Sequence, residues 1–203
     1  MTNFVDWLYV LNNSTDSDFQ KHIEEYLDVP YFLRTMVVES FLLTEDCFAN
    51  NGKNYYAYQL NSGEKIEWLI IVQDFDMVFE FSLDVNNIPD ADTDIVTYLT
   101  RPNEPESNRN VLLTRIFAIQ AYRDQYVKYY KTFITTLFGT NSNIQPAKRH
   151  TDMMQFVLPW VARDRMVQLS SGLTTSNFML YSEQTAMNLP LRYQNVTIQL
   201  ENM

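Results

Sequence analysis

The stretch LTEDCFANNGKNYYAYQLNSGEKIEWLIIVQDFDMVFEF, residues 43–81, decides the fold. Within it, residues 54–60 and 66–72 are rich in aromatic and β-branched side chains, which favour strands. Asn61-Ser62-Gly63 lies between the two runs and is typical of a turn. The sequence therefore predicts a β-hairpin that follows a polar loop and ends in an Asp-containing segment.

Helical periodicity precedes this stretch. Asp28 and Pro30 are placed to cap a helix and begin it, and an apolar stripe runs on from Phe32 to about Glu45. The helix therefore delivers the chain directly to the polar loop before the hairpin.

Helical periodicity also dominates after the hairpin. The pattern from Val111 to a stop at Gly139 fits one long helix about as well as two helices that meet near Ala121. A last helix is predicted from Ser176 to Met187, with an edge strand in the polar tail after it. We expect an α+β, predominantly α-helical fold in a single domain, residues 1–203.

Composition narrows the class of partner. The chain has 203 residues, a formal net charge of -10 and a pI near 4.6, so nucleic acid would be repelled and basic protein segments attracted. Simple solubility is the other reading of this acidity. Cys47 is the only cysteine, which excludes an intrachain disulfide, and no apolar run is long enough to predict a membrane span.

Acidic and amide side chains flank the predicted hairpin. Asp46 and either Asn51 or Asn54 precede it, and Asp74 and Asp76 follow it. In phosphoryl transfer, one Asp orients the attacking hydroxyl while an Asn and a second Asp hold magnesium against the phosphates. The competing interpretation is that these residues form turns or cap the next segment, for which Asp and Asn are common.

Three segments together resemble the CotH-type spore-coat protein kinases: DVPYFLRTMVVES, LTEDCFANNGKNYYAY and EKIEWLIIVQDFDMVFEF. The resemblance runs roughly from Ser17 to Gln184. The residues that fill the family's positions are Leu27-Asp28-Val29, Asp46, the Asn54–Tyr58 strand, Trp68, Asp74-Phe75-Asp76 and Phe79.

The resemblance implies a site and a reaction. Asp46 would be the catalytic Asp, and Asn54 or Asn51 a magnesium ligand that also helps to bind the cofactor. Asp74 would be the metal-binding Asp of a metal loop carried by the hairpin, with Asp76 as a supporting carboxylate at the metal. It further implies a protein-kinase-like C-terminal lobe that uses Mg²⁺ and ATP to phosphorylate Ser or Thr of coat or surface proteins. Basic or Ser-rich segments are the expected substrates, at a spore coat, at a cell surface or in secreted form.

Two departures limit what the resemblance implies. Val72-Gln73 stands where the family usually has Pro-Trp or a similar pair. No Gly-rich loop, strand-borne Lys or partner Glu precedes Asp46, so we expect only the C-terminal catalytic half, with the N-terminal nucleotide-binding lobe absent.

Activity of this half alone is left open by the sequence. The alternative is a non-catalytic, adhesin-like surface protein of the same family. A third interpretation is an unrelated helical interaction domain, in which the acids around the hairpin are incidental.

Overall fold

The computed structural model describes residues 2–44, 46–61, 66–75, 78–79, 92–140, 142–163 and 174–203. Within these residues, one antiparallel pair of strands is set among helices, so the predicted α+β, predominantly helical class is confirmed. In chain order the elements are α1 (Thr2–Asn13), α2 (Asp16–Tyr26), α3 (Val29–Leu42), α4 (Phe48–Asn51), β1 (Tyr55–Asn61), β2 (Ile66–Val72), α5 (Ile95–Thr100), a 3₁₀ turn (Glu106–Asn108), α6 (Val111–Ala118), α7 (Gln120–Phe138), α8 (Pro146–Val161) and α9 (Thr175–Glu201).

The chain divides into two compact units. The first is Met1–Lys131 together with Met203, and the second is Thr132–Asn202. A division by contacts does not by itself show independent folding, so the single domain over residues 1–203 stays a prediction. All the predicted site residues belong to the first unit.

Helix α3 forms the centre of the first unit. Asp28 caps it as predicted, because its carboxylate accepts the Tyr31 N–H at 2.8 Å. Its apolar side chains are almost completely buried, and each buried side chain of this size contributes about 2 kcal/mol. They are Phe32, Leu33, Met36, Val37 and Phe41.

The predicted hairpin is present, with Tyr55 opposite Val72 and Ala57 opposite Ile70. Its turn falls on residues 62–65, outside the described part of the chain. One face of the hairpin is buried through Ile70, and Trp68 on that face stacks on Trp7 of α1, with ring centroids 5.8 Å apart.

The opposite face of the hairpin is open. Because side chains alternate along a strand, Tyr56, Tyr58 and Leu60 share this face with Leu69 and Ile71, their cross-strand partners or neighbours. Tyr56 is 61% exposed and Tyr58 55% exposed. We call these five residues the open hairpin face.

The helices after the hairpin differ in part from the prediction. The chain from Val111 forms two helices, α6 and α7, so the two-helix alternative is confirmed. The edge strand predicted in the C-terminal tail is wrong, because α9 continues through Pro190 to its end at Glu201. Buried residues seven and four apart, Leu189, Val196 and Leu200, maintain a helical stripe there.

Among the helices in the described ranges, none is both long enough and apolar enough to cross a membrane.

Candidate functional site

Left-handed residues that end α3 and α4 shape the loop between α3 and β1. Leu43 ends α3 with φ 51°, and Gly52 ends α4 with φ 68°. Glycine adopts this conformation without the steric cost that a side chain brings. Helix α4 is consequently a single turn between two reversals of the chain, and Asp46 lies just before it.

Asp46 is held by three side chains that follow it in the sequence. Asn51 Nδ2 donates to Asp46 Oδ1, and Lys53 Nζ lies 2.9 Å from the same oxygen. Asn54 Nδ2 donates to the backbone oxygen of Asp46 at 2.7 Å and lies 3.5 Å from Oδ2. Three of the predicted site residues, Asp46, Asn51 and Asn54, are therefore in contact.

These donors set the protonation state of Asp46. The hydrogen bond from Lys53, followed by that from Asn51, lowers the pKa of the Asp46 carboxyl below its ordinary value. Both contacts favour the charged form over the acid. Asp46 is therefore a carboxylate at neutral pH, able to accept hydrogen bonds.

The ion pair with Lys53 can be tested directly. We predict that Lys53→Met raises the pKa of the Asp46 carboxyl, because the first of its stabilising donors is removed. A ¹³C NMR titration of the Asp46 carboxyl measures the shift. Lys21→Met is the matched control, since Lys21 pairs with Asp18 instead, and an unchanged Asp46 titration in Lys53→Met would contradict the contact.

The hairpin brings Asp74 to the same end of the strands as Asn54. Gln73 N–H donates to the carbonyl oxygen of Asn54 at 2.9 Å, next to the Tyr55–Val72 pair. Asp74 follows Gln73 directly and is exposed. The base of the hairpin thus carries two of the predicted ligand residues, while Asp76 lies outside the described residues.

Asn54 and Asp74 share an uncommon backbone conformation. Their φ angles are 54° and 59°, in the left-handed region. Asn and Asp enter this region more readily than other non-glycine residues, and strained backbone of this kind concentrates at functional sites. The residue type at both positions is therefore favoured by backbone geometry as well as by its side-chain chemistry.

The side chains at the base of the hairpin carry oxygen atoms, the ligand type that a hard cation prefers. Asn54 uses Nδ2 as a donor, which leaves its Oδ1 without a hydrogen-bond partner in the described residues, and Asp74 forms no side-chain contact there either. Across the described ranges, no three His, Cys, Asp or Glu side chains gather to hold a metal. Magnesium would therefore depend on these two groups plus water and phosphate oxygens, as is usual for that ion.

Glu39 is the second residue that the sequence reasoning missed, after Lys53. It lies in α3, is fully buried, and its carboxyl oxygens accept the backbone N–H groups of Phe48 at 3.3 Å and Ala49 at 3.1 Å. Burial raises the pKa of Glu39 to about 7, against the lowering effect of these hydrogen bonds. The signal was an acid inside the apolar run VVESFLL.

Cys47, beside Asp46, is not a nucleophile. It is buried, its Sγ–H donates to the carbonyl oxygen of Thr44 at 3.1 Å, and burial raises the pKa of the thiol to about 12. A thiol in that state is inert at neutral pH. Its role is to fill space under the loop.

Comparisons with known proteins identify the family of the chain. The CotH kinase protein family matches residues 1–170, so the chain belongs to that family. Invasin CotH2 of Rhizopus delemar is 27% identical over 176 residues, which covers 86% of this chain and 28% of that protein. The chain thus spans under a third of the length of this relative. No solved structure matches the chain.

Proposed function

We propose that this chain is the catalytic half of an atypical protein kinase, which transfers the γ-phosphoryl group of Mg-ATP to Ser or Thr hydroxyls of coat or surface proteins. The observation that carries the proposal is the contact of Asp46 with Asn51 and Asn54 at the base of the hairpin that also carries Asp74. One carboxylate, adjacent amides and a second acid are the groups that phosphoryl transfer requires.

Each residue has a separate task in the proposed reaction. Asp46 accepts a hydrogen bond from the attacking hydroxyl and takes its proton as the new oxygen–phosphorus bond forms, while the bond from the γ-phosphorus to the ADP oxygen breaks and ADP leaves. Asn54 and Asp74 would hold magnesium, with Asn51 and Asp76 as supporting groups. The bound magnesium would neutralise charge on the phosphates. Lys53 is exposed enough, at 62% of its side chain, to move from Asp46 to an anionic oxygen.

A nucleotide-binding half is the first expected partner. The open hairpin face lies beside the proposed site, and its tyrosines are too exposed for a completed core. Packing of the nucleotide-binding half on this face would cover them and exclude water from the site. The chain spans 28% of the length of its relative. We therefore propose, as part of the same function, that the kinase activity requires both halves of the longer protein.

The protein substrate is the second expected partner. A net charge of -10 attracts basic segments and repels acidic ones. Basic, Ser-rich stretches of coat or surface proteins combine that charge with the hydroxyl groups that accept the phosphoryl group. They are therefore the substrates we propose.

A second candidate function is non-catalytic binding at a surface. The relative from Rhizopus delemar is called an invasin, and Asp46 is engaged by Lys53 in this structure. In this reading the open hairpin face contacts another protein, and the loop acids only shape the turn. Substitution of Asp46 would then leave partner binding unchanged.

Paired substitutions test the proposed function. With the nucleotide-binding half present, we expect Asp74→Asn to abolish the ATP- and magnesium-dependent shifts of the Asn54 amide signal in NMR, and also phosphoryl transfer to a basic Ser-rich peptide. Asn is the matched replacement because it tolerates the left-handed backbone at position 74, whereas Ala would add strain of about 1 kcal/mol.

Asp46→Asn separates catalysis from binding. This variant should keep the magnesium- and ATP-dependent shifts and lose transfer by on the order of 100-fold or more. Identical shifts in the unmodified chain and in Asp74→Asn would contradict the proposal. Equal transfer by Asp46→Asn and the unmodified chain would do the same.

A further inference from the structure

We propose that Glu39 is the positioning residue of the catalytic loop: it holds the turn α4 in place from α3 and so fixes Asp46, two residues before that turn, and Asn51, its last residue. This inference rests on the proposed function for its meaning in catalysis. Its structural part rests on the geometry alone.

Helix α4 needs a cap from outside its own sequence. The first N–H groups of any helix lack partners within the helix, and the side chain of Cys47, at the N-cap position, accepts no hydrogen bond from the N–H groups of α4. Glu39 supplies the acceptors instead, through its bonds to the N–H groups of Phe48 and Ala49. A residue of one helix therefore caps another, and the two helices are linked through one carboxyl group.

The second step is the burial of this link. Glu39 is 0% exposed, and within the described residues it forms no ion pair with a Lys, Arg or His. A buried acid without a cation is unfavourable for stability, and an apolar residue of similar size would usually serve the core better. The hydrogen bonds to the N–H groups of Phe48 and Ala49 therefore explain why a carboxyl group occupies this buried position.

The third step is that other buried contacts support the same segment. Tyr98 of α5 donates to the carbonyl oxygen of Thr44 at 2.5 Å, and its hydroxyl lies 3.4 Å from Cys47 Sγ. The loop is therefore held at Thr44 by α5 and at Phe48 and Ala49 by α3. Asp46 lies between these two attachments, which limits the positions its carboxylate can take.

The contact between Glu39 and α4 affects the positions of the proposed catalytic groups. Asp46 lies two residues before Phe48, and Asn51 is the last residue of α4. If α4 rotates or unwinds, Asn51 leaves Oδ1 of Asp46, and a displacement of about 1 Å at a catalytic group can cost on the order of 100-fold in rate. Asn54 and Asp74 belong to the base of the hairpin, where Glu39 makes no contact.

Two substitutions of Glu39 test the role. Glu39→Met fills the same space without an acceptor, and Glu39→Gln keeps one acceptor oxygen. We expect the amide hydrogens of Phe48 and Ala49 to exchange roughly 10- to 100-fold faster in Glu39→Met and less so in Glu39→Gln, because Met removes both acceptor oxygens and Gln removes one. The amide signals of Asn51 should shift or broaden in the same order.

Ser40→Ala provides the control. Ser40 is equally buried on α3, but its hydroxyl lies 2.7 Å from that of Tyr126, a residue of α7. It should leave exchange at Phe48 and Ala49 unchanged relative to the rest of the unit. Equal acceleration in Ser40→Ala and Glu39→Met would overturn the proposal, as would unchanged exchange in both Glu39 variants.

Kinetics separate this inference from the proposed function. In the transfer assay, Glu39→Met should lower kcat on the order of 100-fold while KM for ATP stays within about two-fold, since the groups at the hairpin base are not held by Glu39. If the unmodified chain, with its nucleotide-binding half, transfers no phosphate, the proposed function fails. The exchange measurements then still decide whether Glu39 holds the loop.

Discussion

Replacing Arg115 with methionine is expected to lower the free energy of unfolding of the first unit by about 3 kcal/mol. The guanidinium donates to the carbonyl oxygens of Leu11 at 2.8 Å, Ser14 at 2.9 Å and Thr15 at 3.0 Å. It also lies 4.2 Å from the ring centroid of Phe19. Methionine keeps the apolar packing but removes the guanidinium donors from the carbonyl oxygens of Leu11 and Ser14, whereas the Thr15 carbonyl oxygen still accepts the Phe19 N–H at 2.8 Å.

Urea denaturation measures this loss. Fluorescence of Trp7 and Trp68 reports on the first unit, in a Trp160→Phe background that removes the exposed tryptophan of the second unit. Arg149→Met is the control, because Arg149 is exposed and its replacement should change stability by less than about 0.5 kcal/mol. A loss below about 1 kcal/mol for Arg115→Met would show that the guanidinium contributes only surface contacts.

The sequence was informative where a single segment contains the whole signal. The hairpin was predicted because both strands and their turn are contiguous, and period-two alternation needs no distant partner. The start of α3 was predicted because Asp28 caps within three residues of itself. The contact of Asp46 with Asn51 follows for the same reason, since one short loop carries both.

Contacts across the chain were not predictable in this way. Arg115 lies about 100 residues from the carbonyls it binds, and no local pattern marks an arginine as a cap for a distant helix. Glu39 and Ala49 are ten residues apart, but their contact requires α3 and α4 to fold back on each other. The residues of the site can therefore be recognised from local sequence, whereas the contacts that hold them in place come from distant parts of the chain.

Glu39 should make the stability of the first unit depend on pH in a direction opposite to that of an ordinary acid. The pKa of Glu39 rises from 4.5 to about 7 on folding, so the folded state binds this proton more tightly than the unfolded state does. The resulting stabilisation is fully present below pH 4.5 and is lost as the pH rises to 7. Its size is about 3 kcal/mol by linkage, as an order of magnitude.

The free energy of unfolding, measured for the unmodified chain and for Glu39→Met at pH 5 and pH 7.5, isolates the contribution of Glu39. Asp46 has a lowered pKa and acts in the opposite sense, but it titrates in both proteins. Cys47 and Tyr98, which face Glu39, have raised pKa values and stay neutral over this range.

The unmodified chain should therefore lose about 2 to 3 kcal/mol more of its free energy of unfolding than Glu39→Met between pH 5 and pH 7.5. Ser40→Ala should behave like the unmodified chain. Parallel pH profiles for all three proteins would mean that the Glu39 carboxyl reaches water, and the link between α3 and α4 would then not be the buried contact that positions Asp46.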